Sequence, residues 1–184
     1  MAVAVHKLTW EDIKNFPESH TRVELVDGEL IMSPVAGAAH QMTTGLLGAR
    51  ILPWVLAHGL GAFFSSPLHV ILDEHVHYEP DLCFLRKDRL HLLKDAYFDG
   101  PPDLVIEVIS ESNRTHDTVV KFRDYERYGV EEYWLVDLRE KHIRVFHLAD
   151  GRYGSLGIFS RGERIVSRVL AGLDLDPEEV IAAL

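Results

Sequence analysis

DLVIEVISESNRTHDTVVKFRDYERYGVEEYWLVD, residues 103–137, decides the fold. It opens on a near-continuous apolar run, Leu104, Val105, Ile106, Val108 and Ile109, of the kind required by a strand covered on both faces. A helical pattern follows over about Arg114–Tyr128, with Gly129 as its stop. Glu132–Asp137 is a second strand-like run. Strand, helix, strand in this order predicts a right-handed crossover between two parallel strands.

Upstream, Thr9 before Trp10-Glu11-Asp12-Ile13 reads as the cap of a short helix, with Pro17 just beyond its end. Arg22–Ser33 (RVELVDGELIMS) carries Asp27-Gly28 between two alternating runs, a hairpin signal. A long helix is expected from about Ala38 to His58, with Leu46, Leu47, Ile51, Leu52 and Val55 at helical spacing. Phe63–Leu72 and Tyr78–Leu85 read as strands separated by a turn at Asp73-Glu74-His75, and Arg86–Lys94 as a basic helical stretch. Downstream, strands are expected around His142–Leu148 and Tyr153–Phe159, and Asp176-Pro177 opens a final short helix. The sum is one α/β domain over residues 1–184, a mixed sheet flanked by helices.

Composition narrows the function. Of 184 residues, 47% are hydrophobic and 26% charged, a globular balance, and the formal net charge is −10. Such a chain does not coat nucleic acid or anionic membrane by charge alone, so phosphate contacts need local basic patches or a bound cation. Two segments are basic: residues 86–94, and residues 139–168 with seven Lys and Arg against three acidic residues. They suit either a nucleic-acid groove or a solvated face of ion pairs. The single cysteine, Cys83, excludes an internal disulfide and fits a cytoplasmic setting; it reads as a small packing residue. The apolar stretch 45–64 is interrupted by Arg50, Pro53 and four glycines, so no membrane span is expected. No phosphate-binding loop, dinucleotide fingerprint or serine nucleophile motif occurs.

Two carboxylates break local rules. Glu107 sits in the middle of an otherwise apolar strand, where an ionised group must be paired, hydrogen-bonded or metal-bound. Asp81 follows Pro80 among the apolar residues Leu82, Phe84 and Leu85. Asp103 lies on the same strand as Glu107, four residues and roughly 13 Å away, too far to share an ion. Asp81 lies on another strand, where cross-strand neighbours approach to about 5 Å. Asp81 and Glu107 are therefore the candidate metal pair, and two carboxylates without a thiol suit Mg²⁺ or Mn²⁺. On the following helix, Asp117, Lys121 and Tyr125 lie at four-residue spacing on one face, where Asp117 and Lys121 form either a surface ion pair or a lysine turned back over the sheet toward the carboxylates. His75 and His77, two apart, could bind metal from one strand face but read as loop residues, and Trp10, Trp54 and Trp134 read as core or subunit-contact residues.

The ordered set RVELVDGELIMSP, His40, YEPDL, DLVIEVIS, Asp117-x-x-x-Lys121 and GVEEYWLVD resembles the Uma-type family of bacterial endonucleases, from about Val23 to the terminal helix. That family is similar to the PD-(D/E)XK restriction-endonuclease-like superfamily. The resemblance implies a restriction-endonuclease-like core and Mg²⁺-dependent cleavage of DNA phosphodiesters. The Pro-Asp of the pattern maps onto Pro80-Asp81 and its second acid onto Glu107. The last position of the triplet is Ile109 instead of Lys, and Lys121 is the family-consistent substitute. Asp81 and Glu107, with the Val108 backbone carbonyl, are then expected to hold the ion. Glu24 is a further candidate, against the alternative of an exposed strand residue. His40 would either face the site or satisfy a helix end. Nucleases of this superfamily commonly dimerise, so a homodimer is compatible with the resemblance. Two other functions fit the same residues: a non-catalytic nucleic-acid or protein interaction module, and a metal-dependent phosphoesterase acting on a smaller substrate.

Overall fold

A computed structural model describes residues 7–16, 22–33, 36–65, 68–110 and 114–181. Pro17, expected beyond the first helix, lies outside them. The elements are α1 (Trp10–Ile13), β1 (Arg22–Val26), β2 (Glu29–Ser33), α2 (Ala38–Ala57), β3 (Gly61–Ser65), β4 (His69–Asp73), β5 (Val76–Tyr78), β6 (Leu82–Arg86), β7 (Tyr97–Asp99), β8 (Leu104–Ile109), α3 (Phe122–Tyr128), β9 (Glu132–Asp137), β10 (His142–Ala149) and β11 (Arg152–Phe159).

The crossover expected from residues 103–137 is present. β8 and β9 are parallel, with Leu104 beside Glu132 and Ile109 beside Asp137. They form the centre of a six-stranded sheet ordered β11-β10-β9-β8-β6-β3. The remaining strands form a second mixed sheet, β2-β1-β5-β4-β7, where a single sheet was expected. Each of two expected long strands is divided between the two sheets. Phe63–Leu72 splits into β3 and β4, with residues 66–67 between them outside the described residues. Tyr78–Leu85 splits at Glu79-Pro80-Asp81, because Pro80 has no N–H for a ladder bond. Asp81 thus stands just before β6, at the point where the chain leaves one sheet for the other.

Side-chain alternation along β8 explains what covers each face. Leu104, Ile106 and Val108 pack with Leu47, Ile51 and Val55 of α2 and with Trp134, Val136, Leu170 and Leu175. Burial of each such side chain contributes on the order of 1.5–3 kcal/mol. Leu46 and Leu52, which share the apolar periodicity of α2, remain exposed. Val105 and Ile109 face the other way, into a cluster with Cys83, Tyr125, Tyr133 and Leu135. Glu107 belongs to this second face by alternation, so it is delivered under the helix that follows β8. Burial pushes the Cys83 thiol up to about 12, consistent with a packing role.

That helix is not α-helical throughout. His116–Lys121 forms a π-helical segment that runs into α3, and π-turns of this kind concentrate at functional sites. α3 ends at Gly129, whose φ of 87° is the left-handed stop expected there. Two other expected helices are 3₁₀ turns, Lys87–Leu92 and Pro177–Glu179. In the second, Asp176 accepts from the Glu178 N–H and Pro177 opens the turn. At the start of β3, Gly61 approaches β6 so closely that a Cβ would lie 1.9 Å from the Leu85 carbonyl oxygen. Among the described residues no helix is long and apolar enough to cross a membrane.

Candidate active site

Asp81, Glu107, Lys121, Glu24 and His40 converge from five parts of the chain at the junction of the two sheets. The Arg22 guanidinium donates to Asp81 Oδ1 at 2.6 Å, and the Val108 N–H donates to Asp81 Oδ2 at 2.8 Å. His40 Nε2, from the first turn of α2, lies 3.0 Å from Asp81 Oδ2. His40 therefore faces the site. The Asp81 N–H in turn reaches Glu107 Oε2 at 3.4 Å. A residue's N–H and C=O leave a strand toward the same neighbour, so the Val108 carbonyl lies on the Asp81 side of β8.

Lys121 is buried, as is Asp117, which excludes the surface ion pair. Its ammonium lies 2.8 Å from Glu24 Oε1, 2.9 Å from Glu107 Oε1 and 3.6 Å from Asp117 Oδ1. Tyr125, one helical turn on, donates to Glu107 Oε1 at 3.1 Å. Ile109, where the triplet pattern has Lys, packs in the apolar cluster instead. Glu24 is fully buried and not an exposed strand residue. It accepts from the Glu79 N–H at 3.3 Å and lies 2.8 Å from His116 Nε2. Asp117 and Tyr125 share the Lys121 face as their spacing indicated, whereas Arg22 and His116 were not singled out from the sequence. For Arg22, the polar positions that alternate along β1 with Val23 and Leu25 were the available signal.

The electrostatics follow from burial and from these pairs. Burial opposes the charge on Lys121, but Glu107, Glu24 and Asp117 outweigh it and hold the ammonium protonated. Burial would raise Asp81, yet the His40 hydrogen bond and the Arg22 charge bring its carboxyl below the ordinary range. Lys121 and His116 likewise bring Glu24 down to about 2 against the effect of burial. Glu107 goes the other way. Burial first, then the charges of Asp81 and Asp117, push it up to about 8 despite Lys121 and Arg22. Asp117 is also raised, by burial and by Asp81 and Glu24. Four buried carboxyl groups thus face two permanent cations, Arg22 and Lys121, so that with all four ionised two negative charges exceed the cations before the histidines are counted, and the raised Glu107 and Asp117 hold protons in their place. Glu107 Oε2, with only its long contacts to the Asp81 N–H and to Arg22 at 4.0 Å, is the least engaged of the Asp81 and Glu107 carboxylate oxygens. This donor set fits a hard divalent ion.

The basic segments are largely spoken for. Arg86 and Arg89 both pair with Asp103 at 3.0 Å, Arg86 also with Glu131. Arg152, Arg161 and Arg164 pair with Glu126, Glu178 and Asp174. These five arginines are each engaged in an ion pair.

Residues 10–178 match the profile of the Uma2 family, described as "Putative restriction endonuclease". No curated protein matches the chain. A crystal structure from Anabaena variabilis ATCC 29413, of a "putative nuclease belonging to DUF820", superimposes with a TM-score of 0.80 at 18% identity. The match covers 95% of this chain and 97% of the other. The shared architecture is the mixed α/β, restriction-endonuclease-like fold.

Proposed function

The chain belongs to the Uma2 family, and from that premise we propose that it is a Mg²⁺-dependent endonuclease that hydrolyses DNA phosphodiester bonds, Mn²⁺ substituting. The observation that carries this reading is the surplus of buried carboxylate charge around Asp81 and Glu107, which a divalent ion would neutralise. Asp81, Glu107 and the Val108 carbonyl would hold the ion. Such an ion supplies Lewis acidity toward a phosphoryl oxygen and lowers the pKa of water.

The protein's own residues do the rest. Lys121 stays protonated, so it acts as a donor and a positive charge, not as a base. It orients the attacking water or stabilises charge developing on the phosphoryl oxygens. Glu24 and Asp117 fix the position of its ammonium. Arg22 and His40 hold the Asp81 carboxylate ionised and in one orientation. Phosphate contact is local in this reading, since the net charge is −10 and most described arginines of the basic segments are paired. A cytoplasmic protein, free or as a homodimer, fits this role.

The test is nicking of supercoiled plasmid with Mg²⁺ or Mn²⁺ by the wild type and by Asp81→Asn, Glu107→Gln and Lys121→Met. Each substitution is expected to lower the rate at least ~10²-fold, the size of a lost electrostatic contact to the transition state. Equal rates in all four proteins refute the assignment. Hydrolysis of a small phosphodiester without nicking assigns the same residues to a smaller substrate.

A further inference from the structure

His77 is not in a loop. It lies in β5, fully buried, and β5 pairs antiparallel with β4 so that Ile71 faces His77 and Val70 faces Tyr78. Continuing that register one step places His69 opposite Glu79, with His77 on the same face as Glu79 two residues earlier. His69 Nδ1 lies 2.8 Å from His77 Nε2 and 3.4 Å from Glu79 Oε1. One ligating atom from each residue falls within 4.8 Å of the other two.

We propose that His69, His77 and Glu79 form a second metal site, separate from Asp81 and Glu107, that takes a divalent transition metal of the Zn²⁺ class. Three features support it. Two imidazoles and one carboxylate are the donor set of open zinc sites and of related iron sites, whereas hard Mg²⁺ prefers oxygens. Ligands about 2.0–2.1 Å from a tetrahedral zinc stand roughly 3.3 Å apart, against 2.8 Å for the histidine pair, 3.4 Å for His69 and Glu79, and no more than 4.8 Å for His77 and Glu79. The His77 side chain is buried and its Nε2 already faces His69 Nδ1, so the two ring nitrogens converge on one point.

The surroundings define what kind of site this is. Trp10 packs against both imidazoles, with ring centroids 5.3 Å from His69 and 4.9 Å from His77, and so limits their rotation. His77 and Glu79 are closed off from solvent, while the His69 side chain is 33% accessible. The site is therefore open on the His69 side, where water or an external ligand can complete the coordination. Glu79 also accepts from the Val23 N–H at 3.4 Å and stands two residues before Asp81. A metal here would tether β4 to the short segment that carries Asp81.

The inference does not depend on the nuclease reading, and the experiment separates the two. Metal-free Asp81→Asn/Glu107→Gln protein, which lacks the first site, is titrated with Zn²⁺ against a chromophoric chelator. Co²⁺ is then added in place of Zn²⁺ and visible ligand-field absorption recorded. One ion per chain is expected, with Co²⁺ bands of a low-coordinate site. Adding His69→Ala, at the accessible strand end, or Glu79→Gln should weaken Zn²⁺ binding more than about 100-fold, beyond what loss of a supporting contact does. Absence of Zn²⁺ binding in the double variant, its fold verified by circular dichroism, overturns the proposal. So does binding that survives both further substitutions.

Discussion

Glu107→Gln removes one of the four clustered carboxylates while keeping the shape of the side chain, and it should stabilise the metal-free protein in a pH-dependent way. The amide oxygen can still accept from Lys121 and Tyr125, which lie 2.9 and 3.1 Å from Oε1. Lys121 keeps Glu24 and Asp117 as partners. In the wild type the folded-state value of Glu107 is raised from 4.5 to about 8 by burial and by neighbouring carboxylates. The folded protein therefore holds a proton that the unfolded chain releases. Stability is full below about pH 4.5 and falls as pH rises through about 8. At 1.36 kcal/mol per pH unit, the loss is about 3 kcal/mol at pH 7 and about 5 kcal/mol once Glu107 is ionised. The Gln variant has no such dependence. For a chain of this size, 1 kcal/mol corresponds to ~2–4 °C in Tm. The variant should therefore gain on the wild type by ~6–12 °C between pH 5 and pH 7, and more at pH 8.5. Thermal unfolding followed by circular dichroism in EDTA measures this. Mn²⁺ at 100 times its Kd should return about 2.7 kcal/mol to the wild type and nothing to the variant. A Tm difference that is the same at pH 5 and pH 8.5 would refute the account of Glu107 as an uncompensated buried carboxylate.

Two further outcomes are expected. Lys121→Met leaves Glu107, Glu24 and Asp117 without their shared cation, and loss of one partner of a buried ion pair costs ~3–5 kcal/mol; urea unfolding at pH 7 reads this directly, and the deficit should shrink in acid as the carboxylates protonate. Gly61→Ala forces a Cβ into the Leu85 carbonyl at a φ of 153°, so it should lower stability by at least ~1–3 kcal/mol while leaving Zn²⁺ stoichiometry unchanged.

The elements that announced themselves were those in which local pattern and tertiary role agree. β8, the helix after it and β9 stand where the apolar runs and Gly129 put them, and the hairpin turns at Asp27-Gly28. Asp81 and Glu107 were conspicuous because each sits among apolar neighbours. What the pattern did not show was the division into two sheets. Phe63–Leu72 and Tyr78–Leu85 each read as one apolar run, since burial in either sheet demands the same residues. Pro67 in the first run and Pro80 in the second were the breaks on offer, and the effect of a proline depends on where the ladder runs. His77 was misread because the strand that holds it is three residues long. Arg22 and His116 escaped because an isolated polar residue beside a strand or helix is ordinarily solvated; their role comes from partners distant in the chain. The widening of the helix at His116–Lys121 left no signal in the spacing of Asp117 and Lys121.

The way the site draws on both sheets has a kinetic consequence. Arg22 meets Asp81 across 59 residues of chain, and His116 meets Glu24 across 92. Closing loops of that length is slow, and none of these contacts can form within a single hairpin or crossover. A nascent or partly unfolded chain that has already built the six-stranded sheet would still lack Arg22 and Glu24, and with them the groups that set the charge of Asp81 and Lys121. Competence for chemistry would then be among the last properties acquired in folding and among the first lost, so that the assembled centre reports completion of the whole fold.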